Sequence, residues 1–96
     1  MKIKNFITIC LLLISTTVFA QKKVVVTGVV TDEKKEPLVG VNVTVKDQPG
    51  LGAITDMDGR YKISIEEFSK LVFSYIGFNN VEVLIKKQHI VDVVMK

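Results

Sequence analysis

The sequence predicts an all-β fold, a small seven-stranded antiparallel sandwich of two packed sheets. About seven short segments are rich in β-branched and aromatic residues, and turn signals separate them about every 8–12 residues. Residues 40–46 alternate valines with Asn42, Thr44 and Lys46, which is the period of a strand with one dry and one wet face. No helical segment of useful length interrupts this pattern.

Each element follows from local sequence. The predicted strands are residues 24–31, 40–46, 51–55, 60–65, 71–78, 81–86 and 90–95. Turns are predicted at residues 32–37, 47–50, 56–59 and 79–80, where proline, glycine, asparagine and aspartate cluster. Residues 66–70 could form one helical turn. Gly28 lies inside the first strand, which predicts a bulge or the close approach of another backbone segment. In the last strand we expect Asp92 to be exposed between buried neighbours.

Residues 1–20 are predicted to be a signal peptide that is cleaved after Ala20. A positive start (Lys2, Lys4) precedes an apolar run from Phe6 to Phe19, and small residues stand at the −3 and −1 positions of the cleavage site. The run is shorter than the roughly 20 residues that a membrane-spanning helix needs. We therefore expect an exported protein with no membrane span of its own.

Residues 21–96 are predicted to form one domain without covalent cross-links. The single cysteine of the chain, Cys10, lies in the predicted signal peptide, so the domain has neither a disulfide nor a thiol nucleophile. The formal net charge is +3, but acidic and basic residues are interspersed along the chain. No basic stripe carries interleaved aromatic residues, which argues against nucleic-acid binding.

No motif in the sequence assembles a catalytic or metal site. Asp56 and Asp58 resemble a fragment of a calcium loop, but the further oxygen ligands are missing, and a hairpin turn closed by Gly59 explains them better. His89 is the only histidine, too few for a zinc site or a triad. Glu66 and Glu67 are adjacent on a strand, so they point to opposite faces. We expect no enzyme activity, no cofactor and no metal.

Three aromatic residues are candidates for a ligand surface. Phe73, Tyr75 and Phe78 could together form a platform for a sugar ring. The alternative is core packing, which buries about 150–250 Å2 of each such side chain. Core packing is the better interpretation for Phe73, whereas for Tyr75 and Phe78, near the strand end, both interpretations stay open.

The order of several short motifs resembles the carboxypeptidase-regulatory-like domain, in the version that opens SusC/RagA-type TonB-dependent outer-membrane receptors. The matching segments are residues 26–32, 37–43, 52–56, 58–61 and 71–78. The positions that fit the family pattern are Gly28, Asp32, Pro37, Gly40, Asp56, Gly59, Tyr75 and Gly77. The sequence departs from the pattern at Lys35 and Asp47, where glycine is usual, and at Ala53, where threonine is usual. A lysine in a left-handed turn position would cost about 1 kcal/mol, so we expect that turn to be rebuilt.

The resemblance implies a transthyretin-like (prealbumin-like) sandwich without catalytic activity. In such receptors the module stands in the periplasm ahead of a plug and a barrel that import glycans or peptides, so its expected partners are the receptor plug and barrel and the TonB machinery. The expectation is therefore the N-terminal extension, or a fragment, of a receptor for nutrient uptake that acts through protein contacts, with strand addition at a free sheet edge as one mode. The alternative is a stand-alone exported module that binds protein, or a glycan through Tyr75 and Phe78.

Overall fold

The computed structural model describes residues 22–96, and all regular secondary structure in that range is β. The seven strands are β1 (Lys23–Thr31), β2 (Asn42–Val45), β3 (Gln48–Ile54), β4 (Arg60–Glu66), β5 (Lys70–Ser74), β6 (Val81–Leu84) and β7 (Val93–Val94). The predicted all-β class and the number of strands are confirmed. The predicted signal peptide lies outside the described residues.

The strands form two sheets, one of three strands in the order β4-β1-β7 and one of four in the order β3-β2-β5-β6. Most neighbours are antiparallel, but β7 runs parallel to β1, with Val30 opposite Val93 and Thr31 opposite Val94. This pairing differs from the purely antiparallel sheets that the sequence predicted, because alternation shows which face of a strand is buried and not which way its neighbour runs. Asp92 is exposed and Val93 is buried, as predicted.

The core lies between the two sheets. Tyr61 on β4 meets Phe73 on β5 edge to face, with ring centroids 5.2 Å apart and planes at 75°, so one aromatic pair joins the two layers. The largest fully buried side chains are Phe73, Ile65, Leu71, Ile85, Met95, Val26, Val30, Val41 and Val43. Phe73 is therefore a core residue and not part of a ligand platform.

The strand predicted for residues 71–78 is shorter than expected. It ends at Ser74 because the next four residues form a turn, in which the Phe78 N–H donates to the Tyr75 carbonyl oxygen at 3.1 Å. Gly77 has φ +88°, the left-handed value that the third position of such a turn requires. The chain therefore turns before residues 79–80, where the sequence predicted it.

The β2–β3 connection also differs from the prediction. The turn consists of Lys46 and Asp47, not residues 47–50, since Val45 already pairs with Gln48. The register then shifts, and residues 49–51 form a bulge on β3. A bulge accommodates a proline because the missing N–H is not needed for pairing there.

The β4–β5 connection contains no helical turn. It is a tight turn in which the Ser69 N–H donates to the Glu66 carbonyl oxygen at 3.3 Å. Phe68 occupies its third position with φ +64°, although its side chain is 65% exposed. Neither backbone preference nor burial favours a phenylalanine at this position.

Candidate functional site

The two candidate ligand-facing aromatic residues lie side by side at one end of the sandwich. The ring centroids of Tyr75 and Phe78 are 5.8 Å apart, and their planes are tilted by 31°. Both side chains pack against the core with one part and are partly exposed with the other. Phe78 also borders a groove of about 340 Å3, whose other lining residues are Asp32, Glu33, Lys34, Glu36, Met95 and Lys96. The exposed parts of the rings form one small aromatic surface.

Asp32 holds the β1–β2 turn next to this surface. Its Oδ1 accepts from the N–H groups of Lys34 at 2.8 Å and Glu36 at 3.0 Å. The Lys35 N–H donates to the Asp32 carbonyl oxygen at 3.0 Å, and Lys35 has φ +66°. The turn is therefore not rebuilt as expected: Lys35 occupies the left-handed position, and the Asp32 carboxylate stabilises it. The turn ends at Pro37, which forms an isolated bridge with the end of β1.

Asp56 organises the β3–β4 connection with the same set of bonds. Its Oδ1 accepts from the N–H groups of Asp58 and Arg60, both at 2.9 Å, and Gly59 has φ +74°. The predicted turn, with an aspartate accepting backbone N–H groups, is present. The connection is not a hairpin, however, because β3 and β4 belong to different sheets. Within residues 22–96 no three His, Cys, Asp or Glu side chains cluster as metal ligands.

Gly28 lies beneath a backbone segment, as its position in the strand predicted. A Cβ at Gly28 would stand 1.8 Å from the carbonyl oxygen of Val91. That oxygen accepts the Tyr61 hydroxyl proton at 2.6 Å, while the Val29 N–H donates at 2.9 Å to Asp92 Oδ1. In a regular parallel pairing the Val29 N–H would donate to the Val91 carbonyl oxygen. Because that oxygen binds Tyr61 instead, the Asp92 carboxylate accepts from Val29 in its place.

A cleft of about 640 Å3 opens beside this arrangement. It is lined by Thr27, Gly28, Val29, Ala53, Ile54, Asp56, Arg60, Tyr61, Lys62, Ile90 and Asp92. Burial, and to a lesser extent the negative charge of Asp92, raise the pKa of Tyr61 to about 12. Tyr61 therefore stays neutral and serves as a hydrogen-bond donor at physiological pH. Nothing in this geometry supplies a nucleophile with an adjacent base.

The remaining candidates do not come together. His89 is exposed; its carbonyl oxygen accepts from the Thr27 N–H at 2.8 Å, and its Nδ1 lies 3.2 Å from the Val25 carbonyl oxygen. His89 therefore contributes to the structure mainly through its backbone carbonyl, which pairs with β1. Glu66 ends β4 and Glu67 lies in the following turn. None of these residues lines the groove beside Phe78.

Thr55 is a structural residue that sequence reasoning missed. It is the buried polar residue of the described chain, and its Oγ1 donates to the Leu38 carbonyl oxygen at 2.6 Å and accepts from the Val41 N–H at 2.9 Å. The hydroxyl thereby fastens the long β1–β2 connection to the end of β3. The sequence predicts Thr55 as the last residue of the third strand and gives no signal for this role, since threonine is also common on exposed strand faces.

The fold is a small two-sheet β-sandwich with two turns held by aspartate side chains and a buried tyrosine. The family model for the CarboxypepD_reg-like domain matches residues 26–96. The chain belongs to the CarboxypepD_reg-like domain family. None of its described residues lies in a helix long and apolar enough to cross a membrane.

Two curated relatives are receptors of much greater length. The chain is 40% identical over 72 residues to TonB-dependent receptor P39 of Formosa agariphila, a match that covers 74% of this chain and 7% of the relative. It is 36% identical over 83 residues to TonB-dependent receptor SusC of Bacteroides thetaiotaomicron, covering 86% of this chain and 8% of the relative. The chain thus spans less than about a tenth of each receptor's length.

Proposed function

We propose that this chain is a non-catalytic sandwich module of a SusC-type TonB-dependent receptor, exported to the periplasm at the outer membrane. Its role is protein contact with the rest of the receptor and with the TonB machinery during the uptake of glycans or peptides. The observation that carries the proposal is the match of most of this chain to a small part of two TonB-dependent receptors.

The geometry supports a contact role over a chemical one. The polar side chains most suited to chemistry are engaged in hydrogen bonds within the domain. Asp32 and Asp56, in turns, each accept two backbone N–H groups, and Tyr61, on β4, donates to the Val91 carbonyl oxygen. Binding modules commonly act through sheet edges and exposed side chains, which need no pKa tuning. This chain keeps such edges and several exposed apolar side chains.

An exchange experiment in SusC of Bacteroides thetaiotaomicron tests the proposal. The part of the matching stretch of SusC that aligns with residue 26 onward of this chain is deleted in one strain and replaced by the corresponding residues of this chain in another, so that the export signal stays intact. We expect the deletion to impair growth on the nutrient that SusC imports, and the replacement to restore it, with equal receptor levels in the outer membrane. Undiminished uptake by the deletion strain would contradict a contact role in transport.

A second candidate function is glycan binding by the Tyr75–Phe78 surface. The observation that favours it is the pair of adjacent, partly exposed rings at 5.8 Å, since aromatic faces stack on apolar faces of ligands. Affinity electrophoresis in gels that contain soluble glycans would show retardation of the protein. Tyr75→Ala should abolish retardation without unfolding, whereas Phe68→Ala, which removes an exposed aromatic residue elsewhere on the surface, should not. Equal migration in all glycan gels would exclude this function.

A further inference from the structure

The four edge strands of the sandwich differ in how well they could pair with another strand. The edges are β3, β4, β6 and β7. β3 carries a bulge and Pro49, and β7 is two residues long, so neither presents a regular row of backbone groups.

The edge of β6 is closed by a side chain. The Lys86 N–H donates to Gln88 Oε1 at 2.7 Å, and Gln88 Nε2 donates to the Leu84 carbonyl oxygen at 3.1 Å. The amide of Gln88 therefore makes the two bonds that a residue of a neighbouring strand would make. This device blocks pairing at one half of β6.

The edge of β4 is regular and open. The Val30 N–H donates to Gly59, and the Glu67 N–H donates to Lys22, so the alternate residues 59, 61, 63, 65 and 67 bond to β1. The N–H and C=O groups of Lys62 and Ser64 must then point away from the sheet. Lys62 and Ser64 lie on the free edge of this sheet, and their side chains are exposed. Toward the start of β4, Asp56 closes the edge by binding both backbone groups of Arg60.

The pattern of β4 is complementary to itself. In an antiparallel pair of two β4 strands with the two-fold axis at Ile63, Lys62 of each copy lies opposite Ser64 of the other. The N–H groups of Lys62 and Ser64 in both copies, four in all, then donate to carbonyl oxygens of the opposite copy. The same register sets Arg60 opposite Glu66, which brings unlike charges together across the axis.

An exposed apolar side chain lies beside this edge. The 640 Å3 cleft joins Arg60 and Lys62 of β4 to Ala53 and Ile54 of β3, and the Ile54 side chain is 67% exposed. When two copies pair along β4, their Ile54 side chains come to the same side of the new sheet junction. Burial of these side chains supplements the four hydrogen bonds.

We propose that two copies of this chain associate through the β4 edge and form a continuous six-stranded sheet across a two-fold axis at Ile63. The interface is small, so the association is weak and depends on protein concentration. This inference stands apart from the receptor role, because it concerns only contacts between copies of this chain.

Cysteine pairing tests both the association and its register. The full chain is purified from the periplasm of a bacterial host as two variants, Lys62→Cys and Ser64→Cys. Opposite residues of a hydrogen-bonded antiparallel pair have Cα atoms about 5.5 Å apart, which a disulfide can span. Under mild oxidation we expect a mixture of the two variants to form cross-linked heterodimers faster than either variant forms homodimers alone. Equal rates in the mixture and in the separate variants would refute the register.

Sedimentation equilibrium up to about 1 mM protein tests the association without cross-links. Ser64→Pro removes one outward N–H from each copy and should weaken dimerisation about tenfold or more. Glu82→Pro is the matched control, since Glu82 also has its N–H on the free side of an edge strand, and it should leave dimerisation unchanged. Circular dichroism verifies that both variants keep the β fold. A wild-type chain that remains monomeric throughout the concentration series overturns the proposal.

Discussion

At the scale of single residues, the contact of Gly28 with Val91 decides the local backbone path. The Val91 carbonyl points across Gly28 toward the Tyr61 hydroxyl, and the site where a Cβ would stand is 1.8 Å from that oxygen. The glycine is needed here for space and not for an unusual φ. Gly52, also in a strand, has 3.0 Å between its Cβ site and the Val43 carbonyl oxygen.

We predict that Gly28→Ala lowers the free energy of unfolding by about 2–3 kcal/mol, because the added methyl group displaces the Val91 carbonyl and strains its bond with Tyr61. Gly52→Ala is the matched control and should cost less than half as much. Urea unfolding followed by circular dichroism measures both. A Gly28→Ala variant as stable as Gly52→Ala would show that the segment around Val91 moves aside without cost.

At the scale of elements, the turns contain three residues other than glycine in left-handed backbone conformations. Lys35, Asp47 and Phe68 have φ of +66°, +64° and +64°. The Asp32 carboxylate holds the first of these turns, and aspartate tolerates this conformation in the second. Phe68 has no comparable compensation, since its side chain is largely exposed.

We predict that Phe68→Gly raises the free energy of unfolding by about 1 kcal/mol, since glycine adopts this φ without strain and little buried area is lost. Gly77→Ala is the reverse change: its φ is +88° and its Cβ site has no neighbour within 4 Å, so it should lose about 1 kcal/mol through backbone strain alone. Thermal unfolding of both variants measures whether stability rises in Phe68→Gly and falls in Gly77→Ala. Destabilisation by Phe68→Gly would mean that the phenyl ring contributes more packing than its exposure indicates.

At the scale of the whole molecule, Tyr61 joins three parts of the fold. It belongs to β4 of one sheet, packs on Phe73 of the other, and binds the segment that leads into β7. Its pKa of about 12 in the folded protein stands against an ordinary value of 10.0. Folding therefore favours the neutral phenol.

The pH dependence of stability follows from this shift. Below pH 10 the phenol is neutral in both states, and Tyr61 adds no pH dependence. Between about pH 10 and pH 12 it ionises in the unfolded chain only, so stability should fall by roughly 2–3 kcal/mol. Urea unfolding of wild type and Tyr61→Phe across this range isolates the effect of Tyr61, because the two proteins share every other ionisable group.

The Tyr61→Phe variant should be less stable at neutral pH by about 1–3 kcal/mol, because the Val91 carbonyl loses its partner. The difference in free energy of unfolding between wild type and Tyr61→Phe should then shrink as the pH rises toward 12, because only wild type loses stability through ionisation at this position. A constant difference between the two proteins at all pH values would contradict the raised pKa.

The sequence predicts the number of strands and which residues are buried better than it predicts how the strands pair and which side chains stabilise the turns. β-branched composition, alternation and turn spacing predicted the seven strands and the burial of Phe73, and the aspartate–glycine pattern predicted the turn at residues 56–59. The parallel β1–β7 pair and the Gln88 amide on the β6 edge could not be predicted, because both depend on which distant segments become neighbours. The Lys35 turn was wrongly expected to be rebuilt, because its stabilisation comes from the Asp32 side chain and not from Lys35 itself. The ligand role of Tyr75 and Phe78 stays a prediction.

The parallel pairing of β1 with β7 has a mechanical consequence. The two strands run the same way, so Lys23 at the start of β1 and Lys96 just after β7 lie toward opposite ends of the sandwich, separated along β1 by roughly 27 Å of extended chain. A force that pulls these two points apart slides β1 past β7 and loads their hydrogen bonds together, in shear, instead of opening them one after another. A domain with this geometry can transmit tension along its length while it stays folded.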